Sequence, residues 1–178
     1  CFVPAHPIAG KEVAGVEHSD ADLYKDRALI VTPMASSGAT QVQLAKQVWK
    51  SLGSYITELT PAAHDAAFAA VSHLPHVLSY AIIRGIFQQH NGPDLIALGG
   101  PGFRDFSRIA ASDPVVWRDI LTTNRDQVLL QIGHFKDALN DFEKAIQANE
   151  PQALEDMIRH ASDLRFNWRM GANLNSEK

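Results

Sequence analysis

Cysteine is almost absent from this chain, since Cys1 is the single cysteine among 178 residues. One thiol cannot form an internal disulfide, so the class of small secreted scaffolds held together by disulfides is excluded. This usage fits a reducing compartment, and we expect a cytoplasmic protein.

Positive charge is also scarce. Lys and Arg number 16 against 20 Asp and Glu, which gives a formal net charge of −4. No basic run is interleaved with aromatic residues, and this argues against a nucleic-acid-binding surface. No apolar run approaches the roughly 20 residues that cross a bilayer, so we expect no membrane partner. At 46% hydrophobic residues the chain can still bury a real core.

The first third of the chain has the pattern of an α/β layer. Cys1-Phe2-Val3 predicts a short strand that ends at Pro4, and the β-branched run 28–32, ended by Pro33, predicts a buried strand. Apolar residues at helical spacing up to Gly53 predict a helix, and 55–59 predicts one more strand. Two or three strands make a poor sheet alone. Because the chain also starts without methionine or a cap signal, we expect it to be part of a longer protein.

From Thr60 onward the pattern predicts helices. Thr60 followed by Pro61 is typical of an N-cap and first helical residue, and Asp113-Pro114 repeats that signal. Pro75 removes a helical hydrogen bond and predicts a kink or division near His73. Further helices are predicted up to Asn91-Gly92-Pro93, along 128–146 and from Pro151, with a frayed tail at 171–178. The seam predicted along 128–146 consists of apolar residues that step by four and three, and they are Val128, Ile132, Phe135, Leu139, Phe142 and Ile146. Another helix of this chain, or the same helix of a second subunit, must cover that seam.

Histidines are the first candidates for chemistry. His64, His73 and His76 fall within a few helical turns, which either aims imidazoles into a cleft or leaves them as polar helix positions satisfied by solvent or backbone. His6 lies between two prolines, so we expect it in a stiff loop, either as a held imidazole or as a turn histidine without a role. A metal hydrolase that uses His64, Asp65, His73 and His76 is a further alternative, but the spacing does not reproduce His-Glu-x-x-His, and we expect no metal.

The glycine-rich stretch 99–108 lacks the spacing of a phosphate-binding loop, so we expect a turn followed by a possible short helix. Within it, Arg104, Asp105 and Arg108 are three and four positions apart. They predict either a surface salt bridge or a functional pair in which Arg108 presents its planar fork to a carboxylate while Asp105 orients it.

Several motifs occur in one order along nearly the whole chain. They are His6-Pro7-Ile8-Ala9-Gly10-Lys11-Glu12, Val31-Thr32-Pro33, His64-Asp65, Ser72-His73-Leu74-Pro75-His76 and Gly102-Phe103-Arg104-Asp105-Phe106-Ser107-Arg108-Ile109-Ala110, followed by Asp113-Pro114 and Trp117. Together they resemble the prephenate dehydrogenase family, which includes prephenate, arogenate and cyclohexadienyl dehydrogenases. A non-catalytic helical module for dimerisation or ligand binding is the alternative.

The resemblance implies a mainly α fold. Residues 60–178 would form a helical dimerisation domain like the C-terminal domain of 6-phosphogluconate dehydrogenase, and residues 1–59 would be the last strands of a truncated α/β Rossmann domain. The glycine-rich fingerprint of that domain, which in the family lies upstream of the His-Pro-Ile-Ala-Gly loop, has no match here. The cofactor-binding residues are therefore unassigned, and we expect this chain alone to bind NAD or NADP poorly and to be inactive.

The resemblance also implies the reaction and the roles of individual residues. The reaction is NAD(P)-dependent oxidative decarboxylation of prephenate to 4-hydroxyphenylpyruvate, or of arogenate to tyrosine, by a homodimer. His6 resembles the catalytic histidine that accepts a hydrogen bond from the ring hydroxyl, and Arg108 resembles the arginine that clamps a carboxylate. The other residues implied are His76, Glu12, Ser112 and Trp117 for substrate binding, with His64, His73 and Asp105 in support. Lys11 stands where the family has a small hydroxyl residue, which leaves the choice between prephenate and arogenate open.

Overall fold

The computed structural model describes residues 2–11 and 15–169. Its contacts divide the chain into two compact units. One holds the described residues up to Leu59 together with those from Gly133 onward, and the other is Thr60–Ile132.

A three-stranded sheet lies in the first unit, with the strands β1 (Ala5–Pro7), β2 (Ala28–Val31) and β3 (Tyr55–Glu58) in the order β1-β2-β3. β1 is antiparallel to β2, and β3 is parallel to β2. Helix α1 (Ala39–Ser51) makes the connection between the two parallel strands. Leu29 and Val31 of the central strand are completely buried, so the core of this sheet is at β2.

The first strand does not lie where the sequence predicted it. It spans Ala5–Pro7, so His6 is in a strand and not in a loop, whereas Phe2 and Val3 are outside it and Cys1 is outside the described residues. The ladder continues through Thr32 N–H to Pro4 O at 3.1 Å and Ile8 N–H to Ala28 O at 2.8 Å. Pro7 occupies the alternate position, where an antiparallel strand sends no N–H to this neighbour, so its missing N–H does not interrupt the pairing.

Two helices of the second unit begin where their capping residues predicted. Thr60 Oγ1 accepts a hydrogen bond from Ala63 N–H at 3.1 Å, and Asp113 Oδ1 accepts one from Val115 N–H and one from Val116 N–H, both at 2.9 Å. Both predicted N-caps are therefore confirmed. The helices of this unit are α2 (Pro61–Phe68), α3 (Leu74–Phe87), α4 (Gly92–Ala97), α5 (Pro101–Ser107) and α6 (Pro114–Thr123), with a 3-10 segment at Arg108–Ala111.

The predicted division near His73 is a single π-helical turn, Ala69–His73, between α2 and α3. At its end Leu74 N–H donates to Ala69 O, five residues back. Pro75 has no N–H for the ordinary helical bond, so the register change falls immediately before it. The stop predicted at Asn91-Gly92-Pro93 is misplaced, because α3 already ends at Phe87 and Gly92-Pro93 begins α4. The possible short helix predicted within 99–108 is α5.

The stretch Pro61–Phe87 forms one continuous helical run of 27 residues, and its most apolar window has a mean hydropathy of 1.4. By length and composition alone it could cross a membrane, which corrects the expectation that no run comes near that length. The many alanines and aliphatic residues produce this value, whereas the histidines and serines between them interrupt the run of apolar residues. A helix packed in a protein interior or interface meets the same criterion.

The long helix α7 (Arg125–Gln147) carries the predicted apolar seam, and α8 (Pro151–Asn167) follows it. Val128 at the start of the seam is buried, but Leu139 is 54% exposed and Ile146 64% exposed. On α8, Ile158 and Leu164 are also exposed. The described part of the chain therefore leaves the second half of the seam open. The tail at 171–178, predicted to be frayed, lies outside the described residues.

Candidate active site on the π-interrupted helix

The helical run of the second unit supplies the site's imidazoles. His73 is the last residue of the π turn, and His76 and Tyr80 follow on α3. Spacings of three and four residues place side chains on one face of a helix, so these three project together. All three are half-buried. The interrupted helix thus presents a row of polar rings on one side.

His76 has the most defined surroundings. Its ring stacks on Trp117 of α6, with ring centroids 3.4 Å apart and an interplanar angle of 21°. Its Nδ1 lies 2.9 Å from Ser72 O. A carbonyl only accepts, so Nδ1 carries the proton and Nε2 of the neutral ring is left as an acceptor. Burial lowers the pKa of His76, the Ser72 carbonyl opposes that shift, and the Arg108 charge adds to it.

His73 has the opposite arrangement. Asn124, at the end of α6, donates one amide N–H to Asp65 O at 2.8 Å, and its Nδ2 lies 3.3 Å from His73 Nδ1. With the second amide hydrogen aimed at it, Nδ1 is the acceptor and the neutral ring carries its proton on Nε2. Burial is the main cause of the lowered pKa of His73, and the neighbouring His64 also lowers it while Asp65 raises it. The two imidazoles therefore offer one donor and one acceptor at their Nε2 atoms.

His64 lies one helical segment earlier, on α2. Its Nδ1 is 2.9 Å from Asp65 Oδ1, and its ring packs on Phe68 with centroids 4.5 Å apart. The Asp65 backbone carbonyl is also the acceptor for Asn124. His64 and Asp65 thus lie beside His73, which is consistent with a supporting position.

Arg108 is the first residue of the 3-10 segment that follows α5, and its side chain is exposed. Ser112, just after this segment, donates to Ile109 O at 2.8 Å and hydrogen-bonds to the Tyr80 hydroxyl. Asp105 accepts from Arg104 Nε at 2.9 Å, and both of these side chains are at least 70% exposed. The surface salt bridge predicted as one alternative for this triplet is therefore present between Arg104 and Asp105. The orienting role of Asp105 stays a prediction.

Two predicted residues belong to the other unit. His6 is on β1, paired across the sheet with Ile30, and Glu12 is outside the described residues. Lys11, the departure from the family pattern, lies 3.3 Å from Asp20 Oδ2. A cavity of about 330 Å³ in this unit is lined by Pro33, Gln43 and the paired Lys46 and Glu58, among others.

Tyr80 and Asn124 were not among the residues predicted from the sequence. Tyr80 is four residues after His76, so helical spacing alone offered a signal for it. Asn124 is 51 residues from His73 along the chain, and no local pattern pointed to that contact. Among the described residues, no group of three His, Cys, Asp or Glu side chains comes close enough to hold a metal ion.

Comparison with known proteins relates both parts of the chain to one family. Residues 1–58 match the model of the nucleotide-binding domain of prephenate dehydrogenase, and residues 60–160 match the model of its dimerization domain. A cyclohexadienyl dehydrogenase of Zymomonas mobilis is 30% identical over 167 residues, which are 93% of this chain and 57% of that protein. A prephenate dehydrogenase of Bacillus subtilis is 30% identical over 163 residues, 89% of this chain and 42% of that protein.

Solved structures agree with this relationship. A prephenate dehydrogenase from Aquifex aeolicus, in complex with hydroxyphenyl propionate and NAD+, superposes with a TM-score of 0.88 at 36% identity and covers 93% of this chain and 58% of its own. A Synechocystis arogenate dehydrogenase gives 0.82 at 27% identity over 93% of this chain and 60% of its own. This chain thus spans only about half the length of the relatives it matches. On these matches, which together run through residue 160, the chain belongs to the prephenate dehydrogenase family.

Proposed function

We propose that this chain is the substrate-binding and dimerising part of a dehydrogenase that oxidises and decarboxylates prephenate, arogenate or both, in tyrosine biosynthesis. We assign residues 1–59 to the end of the nucleotide-binding domain and 60–178 to the dimerisation domain. The observation that carries the proposal is the grouping of a neutral imidazole acceptor, an aromatic wall and a guanidinium within Thr60–Ile132. A cyclohexadienol with two carboxylates needs these three kinds of partner.

The reaction needs little acid–base chemistry. A hydride leaves the ring carbon that bears the hydroxyl, the opposite carbon loses carbon dioxide, and the electron pair of the broken C–C bond makes the ring aromatic. The hydroxyl becomes a phenol. An acceptor that hydrogen-bonds to this hydroxyl raises the electron density on the carbinol carbon and so promotes hydride departure. His6 takes this role in the proposal, by its position in the His-Pro-Ile-Ala-Gly motif.

Arg108 takes the role of the carboxylate clamp. Its planar guanidinium can bind a carboxylate through two parallel N–H donors, and Arg108 itself is exposed at the start of the 3-10 segment. His76 presents a neutral Nε2 acceptor, and Trp117, stacked on its ring, forms an apolar wall. By their positions in the family motifs, Ser112 and Glu12 are also assigned to substrate binding, with His64, His73 and Asp105 in support.

Hydride transfer requires an oxidised nicotinamide, NAD or NADP, which accepts the hydride. The described residues do not fit its pyrophosphate: the connection between β2 and α1 has no G-x-G-x-x-G sequence, and α1 begins at a single glycine, Gly38, without a side-chain cap. We therefore assign no residue of this chain to the cofactor, and its own residues act on the substrate.

We further propose a homodimer that forms through the helical domain, because the second half of the α7 seam is exposed in the single chain. The acidic net charge supports the absence of a nucleic-acid partner, and the family relationship supports a cytoplasmic enzyme in which the apolar run Pro61–Phe87 packs against protein and not in a membrane.

Product analysis tests the reaction. The longest natural polypeptide containing this segment, incubated with NAD or NADP, is expected to convert prephenate to 4-hydroxyphenylpyruvate, or arogenate to tyrosine, with one carbon dioxide released per cofactor reduced. Cofactor reduction without decarboxylation, or no conversion of either substrate by the folded protein, would contradict the proposal and favour a non-catalytic module.

A further inference from the structure

The arginine proposed to bind substrate is on a segment that has little rigidity of its own. Arg108 lies at the junction of α5, which has seven residues, and a 3-10 segment of four. Helices this short are marginal, and 3-10 hydrogen bonds have poorer geometry than α-helical ones. The position of Arg108 must therefore be set by contacts with another element.

The first such contact comes from Ser79 on α3. Its side chain is completely buried, and its Oγ donates to Phe106 O at 3.3 Å. Phe106 is in the last turn of α5, where carbonyls have no partner within their own helix. The buried Ser79 hydroxyl thus holds the residue two positions before Arg108.

The second contact is a chain of two hydroxyls. Ser112 has one hydroxyl hydrogen, and it donates that hydrogen to Ile109 O. The hydrogen bond between Tyr80 and Ser112 must therefore be donated by Tyr80. The order of donation is Tyr80 to Ser112 to the Ile109 carbonyl, and linked hydroxyls of this kind polarise and strengthen one another. The residue after Arg108 is thus held through Ser112 by the same helix.

The two contacts lie on either side of Arg108, and both come from the helix that also carries His76. Because Ser79 and Tyr80 follow His76 by three and four residues, one rigid helix fixes the imidazole and the segment that bears the guanidinium. The Arg108 charge also contributes to the lowered pKa of His76.

We propose that Ser79 and Tyr80 are positioning residues, whose hydroxyls hold the Arg108 segment against α3 so that the guanidinium meets the substrate carboxylate in a fixed geometry. The kinetic part of this inference rests on the proposed function, since it assumes that Arg108 binds substrate. In such a role the hydroxyls contact the backbone of the segment and not the substrate.

Tyr80→Phe, in the longest natural polypeptide, tests the inference because it removes the hydroxyl and keeps the ring. We expect the KM for prephenate or arogenate to rise about 3- to 10-fold, the range of one lost neutral hydrogen bond, with kcat and the KM for the cofactor unchanged. Ser79→Ala is expected to act in the same direction. Tyr24→Phe is the matched control, because the Tyr24 ring packs edge-on against Trp49 in the other unit and keeps that contact; its constants should equal those of the wild type.

A double mutant separates positioning from general destabilisation. In an Arg108→Ala background, Tyr80→Phe should change the KM by less than about twofold, because the group it positions is gone. The inference would be overturned if Tyr80→Phe changed the substrate KM by the same factor with and without Arg108→Ala. It would also be overturned if the enzyme is active and neither Tyr80→Phe nor Ser79→Ala changes its KM.

Amide hydrogen exchange gives a readout that does not depend on activity. If the wild type converts neither substrate, the proposed function fails, but the hydroxyl contacts still predict faster exchange at residues 109–112. We expect amide exchange at these residues to be about tenfold faster in Tyr80→Phe than in the wild type, and unchanged in Tyr24→Phe. Unchanged exchange in Tyr80→Phe would overturn the inference even in an inactive protein.

Discussion

The imidazole of His76 lies flat against the indole of Trp117, with ring centroids 3.4 Å apart, while its Nδ1 donates to Ser72 O. The two contacts fix both the plane of the ring and the nitrogen that carries the proton. Removal of the indole in Trp117→Leu should therefore release the ring, and we expect a rise in substrate KM of about 10-fold, with stability lowered by a few kcal/mol for loss of a half-buried aromatic side chain. Steady-state kinetics and urea unfolding measure the two effects, and Trp49→Leu in the sheet unit controls for the loss of an indole elsewhere.

His6 is the residue on which the chemical step depends in this account. We expect His6→Asn to lower kcat by roughly 10²- to 10⁴-fold, the usual contribution of a positioned acid–base group, with the unfolding midpoint almost unchanged because the side chain is exposed on an edge strand. Single-turnover measurement of cofactor reduction isolates this step. A variant with near-normal turnover would exclude His6 as the acceptor.

Arg108 should act on binding. We expect Arg108→Ala to raise the substrate KM by about 100-fold or more, and Arg108→Lys to recover only part of this, because an ammonium keeps the charge but cannot form the planar two-donor contact. Arg104→Ala is the matched control on the same segment, since Arg104 is 74% exposed and paired with Asp105. An unchanged substrate KM in Arg108→Ala would contradict the assignment of Arg108 as the residue that binds the substrate carboxylate.

Stability should fall in acid because of His73 and His76. Burial lowers the pKa of both below the ordinary value of 6.5, so between the lowered pKa and 6.5 the unfolded chain binds more protons than the folded one. The contribution of the two neutral imidazoles to the free energy of unfolding is fully present above pH 6.5. It declines as the pH falls below this value and stops changing once the pH is below the folded-state pKa. Urea unfolding at several pH values should show that the free energy of unfolding falls as the pH falls below 6.5. The slope of this free energy against pH should be shallower in His73→Asn. An unchanged slope in that variant would argue against a lowered pKa of His73.

Helix capping offers a test of stability away from the substrate. Asp113 Oδ1 accepts two backbone N–H bonds at the start of α6, so Asp113→Ala should cost about 1 kcal/mol of unfolding free energy. Asp119→Ala in the same helix should cost much less, because Asp119 makes only an exposed pair with Arg118. Equal losses in the two variants would contradict the capping assignment.

Features that depend on residues close together in the sequence were predicted, whereas features that depend on contacts between distant residues were not. The caps at Thr60 and Asp113 use atoms two or three residues apart, and the division before Pro75 follows from one missing N–H, so all three were predictable. The strand at His6 was misplaced because its limits depend on pairing with β2, more than 20 residues away. The partners of His73 and Ser112 depend on contacts across 51 and 32 residues, which no spacing rule predicts. Family motifs supplied the candidate roles, and these stay predictions.

Reduction of NAD and NADP by the longest natural polypeptide that contains this segment, with prephenate and arogenate compared in parallel, tests the central claim most directly. The account predicts substrate-dependent cofactor reduction with at least one of the two substrates and a large loss in His6→Asn. Absence of reduction with both substrates in a folded protein, or equal rates in wild type and His6→Asn, would contradict it.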